Sequence, residues 1–528
     1  MTPDTARGRL VPVAATLAAL ALATLGTLCA PFDTVLREDA LSYLDQAFAL
    51  RAGDWTATAH PVGWPLLLAG AMELLGVRAR GDAMQLARLL SVLLVAACAF
   101  PVASLARRAA GERAALLAVL ALACSTTLIW LGGIAYADPL FVLLATWSAA
   151  WAARSQGRLR PLLGATALAS LSFWVKPSGL FLLLALLVYA AIVRRRAGLR
   201  LAPLLWLPLL FVALSLPHLV LRARTFGSPF SYGENSKYFV DSYAQVWDPS
   251  VPIPSLGNYL ASHTPAQWLD KFVVHGALRI GWYFLLEIGA LWALLLAAGI
   301  WLWARRGLDV LLCLLVPAAL LLGLVPVFAV FGDPRYMAMT LPFVFVIGSA
   351  AFARLAEASP WPRALTAVFA LALAAQVPLA FARGELAVRT NPLAPRTPRV
   401  RDAWAAWTVR HVSPPVALVE GGDLLQLACD EARAAGELPP ETAALPDFPY
   451  RRPGLAPDLG AALDQLERLG IHTLLVDSRN AGRLPWLSEL HGARWAGRLE
   501  LLQSFRAAPD ERWALSDMEV YRIIPAKP

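Results

Sequence analysis

Between residues 11 and 382 the chain is a succession of apolar windows, nearly free of charge, separated by short polar links. The windows run roughly 16 to 24 residues, about the length of helix that crosses a bilayer. A water-soluble core cannot absorb so many uninterrupted apolar stretches, whereas a membrane requires them, because backbone polar groups in hydrocarbon must be satisfied within the segment. The windows lie at about 11–31, 83–105, 114–133, 138–153, 161–175, 178–193, 202–221, 281–304, 309–331, 336–353 and 363–382. The expected fold is a polytopic α-helical membrane protein of about eleven spans.

The links set the orientation. Arg107, Arg108 and Arg113; Arg154, Arg158 and Arg160; Arg194, Arg195, Arg196 and Arg200; Arg305 and Arg306; and Arg354 and Arg363 fall in every second link, while the alternate short links hold only Lys176 and Arg335. Positive residues mark the cytoplasmic side, so the N-terminus is expected inside and the C-terminus outside. Segment 61–77 decides this reading. A full crossing there would invert every later link, and the segment carries Glu73 and internal glycines. It is therefore expected to lie in or dip into the outer surface, beside other juxtamembrane helices.

Composition excludes several classes. Hydrophobic residues make up 58% of the chain, far above a soluble average. The net charge of +9 resides in the links, which fits membrane orientation and not nucleic-acid binding. The cysteine count of 5 is odd, and Cys29, Cys98, Cys124 and Cys313 lie in apolar windows, so no disulfide framework is expected. The first apolar run is long and lacks a clean small-x-small site before Pro31, and is kept as a span. Domains are expected at 1–385, a membrane domain with outer loops 33–82 and 222–280, and at 386–528. After Phe381 the chain turns polar and proline-rich. Short apolar runs at Val416–Val419, Thr473–Val476 and Val520–Ile524, with a helical pattern at Leu459–Leu469, then predict a small extracytoplasmic α/β domain.

The longest polar interruption in the N-terminal half, Arg37–Pro65, opens on Glu38 and Asp39 and closes on His60-Pro61. On the same outer side, Asp138-Pro139, Lys176-Pro177 and Asp333-Pro334 stand where helices begin. Proline suits a first helical position, and a helix N-terminus favours an anion. With Lys176 and Arg335 adding full charge, the natural anion is a lipid-linked phosphate at the membrane boundary. Each residue also has a plainer role. Asp39, Asp138 and Asp333 can cap helices, Lys176 can snorkel, Arg335 can pair with Asp333, and His60 can be structural. Tyr232, Tyr238, Tyr243, Trp247 and Trp268 of the second loop fit an interfacial belt or a sugar platform. Glu73 and Glu287 are expected to face a surface or be paired. No His/Cys cluster has metal-ligand spacing.

The acidic pair, then Tyr43, Gly53-Asp54-Trp55 and HPVGWPLLL (60–68), resembles polyprenyl-phosphate-dependent glycosyltransferases of the C-type fold, which include protein O-mannosyltransferases, aminoarabinose transferases and Rgt-type enzymes. The likeness continues through Ala87-Arg88-Leu89-Leu90, RRAAGE (107–112), YADPLF (136–141), WVKPSG (174–179) and DPRYMAMTLPF (333–343), over about residues 10–350. It implies an enzyme of the bacterial-type inner membrane that transfers a sugar from a polyprenyl-phosphate donor to a lipid, polysaccharide or protein acceptor. Asp39 would be the catalytic carboxylate with Glu38 beside it, Lys176 and Arg335 would hold the donor phosphate, Asp138 would line the site, and Tyr336 and His60 would join the substrate-binding residues. Where some members carry lysine, this chain has His60, which leaves that residue's phosphate role in doubt. No cofactor is required by this chemistry, although a divalent metal is compatible with it. Two other readings stay open: a transporter or lipid flippase, disfavoured by the lack of internal symmetry, and a non-catalytic envelope assembly protein acting through its C-terminal domain.

Overall fold

The computed structural model describes residues 3–29, 38–55, 60–226, 229, 239–241, 256–303, 308–330, 332–382, 400–413, 416–418, 432, 450–451, 458–477, 489–490, 492, 495, 497–506 and 517–525. Tyr232, Tyr238, Tyr243, Trp247 and the 383–399 linker lie outside these residues. The chain forms two compact units. The first comprises Met1–Phe32, Tyr43–Phe239 and Ser255–Thr390; the second comprises Asp33–Ser42, Val240–Pro254 and Asn391–Pro528.

The first unit is helical throughout. In chain order it holds α1 (Pro3–Cys29), most of α2 (Glu38–Arg51), α3 (Gly63–Leu74), α4 (Arg80–Ala97), α5 (Ala99–Ala123), α6 (Thr126–Gly133), α7 (Asp138–Arg154), α8 (Leu159–Val175), α9 (Gly179–Arg196) and α10 (Trp206–Phe226). After the second loop come α11 (Leu256–Ser262), α12 (Pro265–Leu269), a π-helix (Asp270–Leu278), α13 (Arg279–Trp303), α14 (Leu308–Val330), a 3-10 turn (Pro334–Met339), α15 (Leu341–Glu357) and α16 (Pro362–Ala382). Among the described residues each expected apolar window is mostly helix, with 114–133 interrupted at Cys124–Ser125 and 336–353 opening on the 3-10 turn. Among the described residues, four helical stretches are long and apolar enough to cross a membrane: Arg80–Ala123, Ala202–Thr225, Pro265–Trp301 and Val310–Val330. The first is two helices in series, because the backbone leaves helical geometry at Ala110 and Gly111, within the arginine link.

Helix pairs are tied by small polar residues as well as apolar packing. Ser170 on α8 hydrogen-bonds Ser215 on α10 (2.8 Å), and Ser148 on α7 donates to the carbonyl of Ala165 on α8 (2.8 Å). Such contacts hold apolar helices together where no hydrophobic effect distinguishes a neighbour from lipid. Cys98, Cys124 and Cys313 are buried and not disulfide-bonded.

Helix α3 has 12 residues, a rise of about 18 Å, well short of a ~30 Å hydrocarbon core. Its last turn leaves Leu74 85% exposed. Glu73 beside it is paired with Arg51 (2.8 Å) and Arg78 (3.5 Å), and the hydrogen bond from Arg51 holds its carboxyl below the ordinary range. A short helix with an apolar tip and an ion-paired flank suits a surface position.

The second unit contains α17 (Val400–His411), β1 (Val416–Leu418), β2 (Tyr450–Arg451), α18 (Leu459–Arg468), β3 (Thr473–Asp477), β4 (Leu499–Phe505) and β5 (Met518–Ile523). Its sheet has the order β2-β1-β3-β5-β4. The β1 strand pairs in parallel with β2 and β3, while β5 runs antiparallel between β3 and β4. Asp458 caps α18 by accepting from the Ala461 amide (2.8 Å). Leu459, Ala462, Leu463 and Leu466 recur at helical spacing and pack with Leu474, Val476, Tyr521 and Ile523 of the sheet. Tyr521 donates to Glu519 (2.6 Å), and burial together with this carboxylate pushes its phenol up.

Candidate active site

The first unit gathers its polar side chains where α6 passes into α7, α8 into α9, and the 3-10 turn into α15. The α6–α7 passage is made by Ala135, which adopts a left-handed φ of 56°, a conformation costing a non-glycine residue about 1–2 kcal/mol. The Nε1 of Trp64, a fully buried side chain, donates to the Ala135 carbonyl (3.2 Å) and fixes the turn. Tyr136 and Asp138 follow directly.

Asp138 and Lys176 form a buried ion pair. Lys176 Nζ donates to Asp138 Oδ1 at 2.7 Å, with 13% and 6% of the side chains exposed. Lys176 Nζ also lies 4.9 Å from the Tyr336 ring centre. Arg335 pairs with Asp333 (3.0 Å) and sits 4.7 Å from the Tyr136 ring and 5.1 Å from the Tyr336 ring. The Tyr336 ring is therefore shared by both cations, each stabilised by the negative face of an aromatic ring. Tyr336 continues to Phe328 (6.2 Å) and Phe328 to Tyr283 (5.5 Å). Arg279 donates to the Phe328 carbonyl (3.4 Å) and lies 6.0 Å from the Tyr283 ring. Lys176, Arg335 and Arg279 against Asp138 and Asp333 give this wall an excess of one positive charge. An anion that competes for the two carboxylates' partners would be held at short range in a poorly hydrated setting.

A neighbouring cluster forms around His60. Its ring packs on Tyr43 (4.5 Å), and its carbonyl accepts from Gln46 (3.1 Å) and from the fully buried Arg222 (3.3 Å). One turn before Arg222, His218 stacks on Trp174 (5.6 Å). Helix α3 joins the clusters, because Trp64 reaches the turn before Tyr136 while Gly63 lies on the Trp174–Val175 backbone before Lys176. A Cβ at Gly63 would stand 2.8 Å from the Trp174 carbonyl carbon. Gly63→Ala is therefore expected to displace α3 and lower donor binding about tenfold or more, a change of about 1.4 kcal/mol or above. Isothermal titration with a polyprenyl phosphate checks this; unchanged affinity would show that α3 does not support the cluster.

The structure brings Asp138, Lys176, Arg335 and Tyr336 together and places His60 in the adjoining cluster. Asp39 is half-buried in the first turn of α2, a helix that begins at Glu38. The side chain of Glu38 lies outside the described residues. Both belong to the second unit. Several sequence expectations need correction. Asp138 does not cap α7: the cap residue is Ala137, without a side-chain bond, and Asp138 is engaged with Lys176 instead. Lys176 does not snorkel outward, since a buried carboxylate partner holds it. Pro61 and Pro177 precede their helices, which start at Gly63 and Gly179, so the proline-first pattern holds only at Pro139 and Pro334. Asp333 does cap, accepting from the Arg335 amide (2.9 Å) as well as pairing with its side chain. The sequence reading passed over Arg222, Arg279 and Gln46. Arg222 and Arg279 were detectable as arginines at span ends on the side where arginine is otherwise scarce. Among the described residues no group of three or more His, Cys, Asp or Glu is placed to hold a metal ion.

Residues 59–221 match the model of the family described as dolichyl-phosphate-mannose-protein mannosyltransferase. No curated protein matches the chain in sequence. Among solved structures, the Archaeoglobus fulgidus oligosaccharyltransferase in complex with zinc and sulfate matches with a TM-score of 0.58 and 15% identity, over 88% of this chain and 68% of that one. The oligosaccharyltransferase AglB of the same organism, in complex with an inhibitory peptide and a dolichol-phosphate, gives 0.56 and 14%, over 89% and 69%. ArnT from Cupriavidus metallidurans bound to undecaprenyl phosphate gives 0.51 and 14%, over 97% of this chain and 98% of that one. The expected resemblance to C-type glycosyltransferases is borne out in the family model that residues 59–221 match and in the fold shared with these solved structures.

Proposed function

We propose that the protein transfers a sugar from a polyprenyl-phosphate donor to an acceptor at the outer face of the membrane, by a single displacement that inverts the anomeric carbon. The observation that carries this reading is the wall of Lys176, Arg335 and Arg279, partly neutralised by two carboxylates and backed by tyrosines. The dolichol-phosphate and undecaprenyl phosphate bound by two proteins of this fold support a lipid phosphate as its anion.

The chemistry follows from where charge develops. Glycosyl transfer passes through an oxocarbenium-like state, and the C–O bond to the leaving phosphate breaks as negative charge gathers on its oxygen. Fixed cations at that oxygen stabilise this charge, and they do so most effectively where water is excluded. Lys176 is suited to the role because its present partner, Asp138, can be exchanged in part for the phosphate. Asp39 is assigned the proton of the acceptor nucleophile, which it takes as the new glycosidic bond forms. One attack from the opposite face inverts configuration. The cations can neutralise the phosphate by themselves; the reading neither demands nor excludes a divalent metal.

The test is incubation of the purified protein in lipid with a panel of polyprenyl-phosphate sugars, following donor loss and product formation by mass spectrometry and product configuration by NMR. Conversion of one donor with an inverted anomer is expected. Uptake of a labelled donor into vesicles without any conversion would favour a flippase instead.

A further inference from the structure

Two helices of the first unit are broken below the site, and a carboxylate joins the breaks. The α5 helix ends at Ala123, and after Cys124 the extended Ser125 starts α6 afresh, its hydroxyl accepting from the Leu128 amide (3.4 Å). The α13 helix departs from helical geometry at Gly289 (φ 71°, ψ 167°). From the break to the end bearing the Tyr136 turn, α6 rises about 12 Å; from Arg279 to Gly289, α13 rises about 15 Å. The breaks therefore lie at similar distances beneath the site-bearing ends. At this level Thr127 of α6 donates to Glu287 of α13. Above it, both helices pack against the 3-10 turn that carries Arg335 and Tyr336.

A carboxylate within an apolar helix is costly to retain for packing alone, and broken helices at membrane depth occur where protein or a cavity satisfies the freed backbone. We propose that Glu287 and Thr127 are positioning residues: their hydrogen bond is a strut that fixes the spacing of α6 and α13, and so the Tyr136 and Arg279 flanks of the donor site around Arg335. Gly289 is the hinge that turns the outer half of α13 so that Glu287 meets Thr127. A Cβ at Gly289 would meet nothing within 4 Å, so alanine there is resisted by backbone conformation alone and favours a continuous helix that rotates Glu287 away.

This inference rests on the proposed transfer reaction for its kinetic test, and a cross-linking test stands apart from it. With the five native cysteines replaced by serine or alanine and cysteines placed at 127 and 287, a short thiol-specific cross-linker should join α6 to α13 in intact protein far more efficiently than in either control carrying one of the two. Yields no higher than the controls would overturn the strut, whatever the activity. In transfer assays, Thr127→Val and Gly289→Ala should each raise the donor KM about tenfold, the size expected for one hydrogen bond to a charged group, with kcat nearly unchanged. Glu287→Gln keeps an acceptor oxygen but loses the charge, and should raise the donor KM by about threefold, less than Thr127→Val does, a partial rescue that generic packing damage would not give. Parallel loss of kcat and melting temperature in all three variants, or a donor KM unmoved by Thr127→Val, would overturn the positioning role. If the parent protein converts no donor at all, the transfer reading fails, and cross-linking still decides the strut.

Discussion

Asp39→Asn is expected to lower sugar transfer by about 10²–10⁴-fold, the range contributed by a positioned general base, while leaving insertion and thermal stability almost unchanged. The carboxylate lies in the first turn of α2, where removing a negative charge costs about 0.3–1 kcal/mol through the helix dipole, too little to unfold a membrane domain of this size. Asparagine preserves shape and hydrogen bonding but cannot accept a proton. Donor binding, measured by titration with the free polyprenyl phosphate, should therefore persist in the variant. Glu38→Gln serves as the internal comparison and should lose less. Transfer by Asp39→Asn within about threefold of the parent would remove Asp39 from the mechanism and leave it a helix-terminal charge.

The second large effect concerns the Asp138–Lys176 pair. Lys176→Met leaves Asp138 buried without its closest cation, and breaking such a pair on one side costs about 3–5 kcal/mol. The single variant should therefore show a markedly lower melting temperature in detergent and poor yield. Combining it with Asp138→Leu replaces the pair by apolar groups, which is often neutral or stabilising, and stability should return. Transfer should not return, because the cation nearest the leaving phosphate is gone. A stable double variant that still transfers sugar at the parent's rate would show that the pair serves folding alone, and the phosphate role would pass to Arg335 and Arg279.

The helical framework was legible from residue pattern because hydropathy windows are long and the arginine links that punctuate them are clear. Their ends were less so. The expected link at Arg107–Arg113 does coincide with a break at Ala110 and Gly111, but the boundary between α4 and α5 at Cys98 falls inside an expected apolar window, where no polar residue announces it. The site was legible in part. Asp138, Lys176, Arg335 and Tyr336 converge as the motifs imply, but their roles as caps or snorkelling charges could not be told apart in advance, because a buried pair between residues 38 positions apart leaves no local trace. For the same reason Thr127 and Glu287, 160 positions apart, gave no joint signal. Arg222 and Arg279 were hidden by the length of the loop between them, which drew attention to its aromatic residues instead of its ends.

Strand β4 forms one edge of the described sheet, opposite β2, and its pairing with β5 slips between Leu501 and Gln503. An unpaired strand margin offers a row of amides and carbonyls on which another molecule can extend the ladder, and an irregularity of this kind spoils that template by twisting it out of register. Glu500, paired with Arg522 of β5 (2.9 Å), adds charge at the same margin. This edge of the C-terminal unit is thereby guarded against strand-to-strand association at high local density, as when many copies crowd the plane of one membrane.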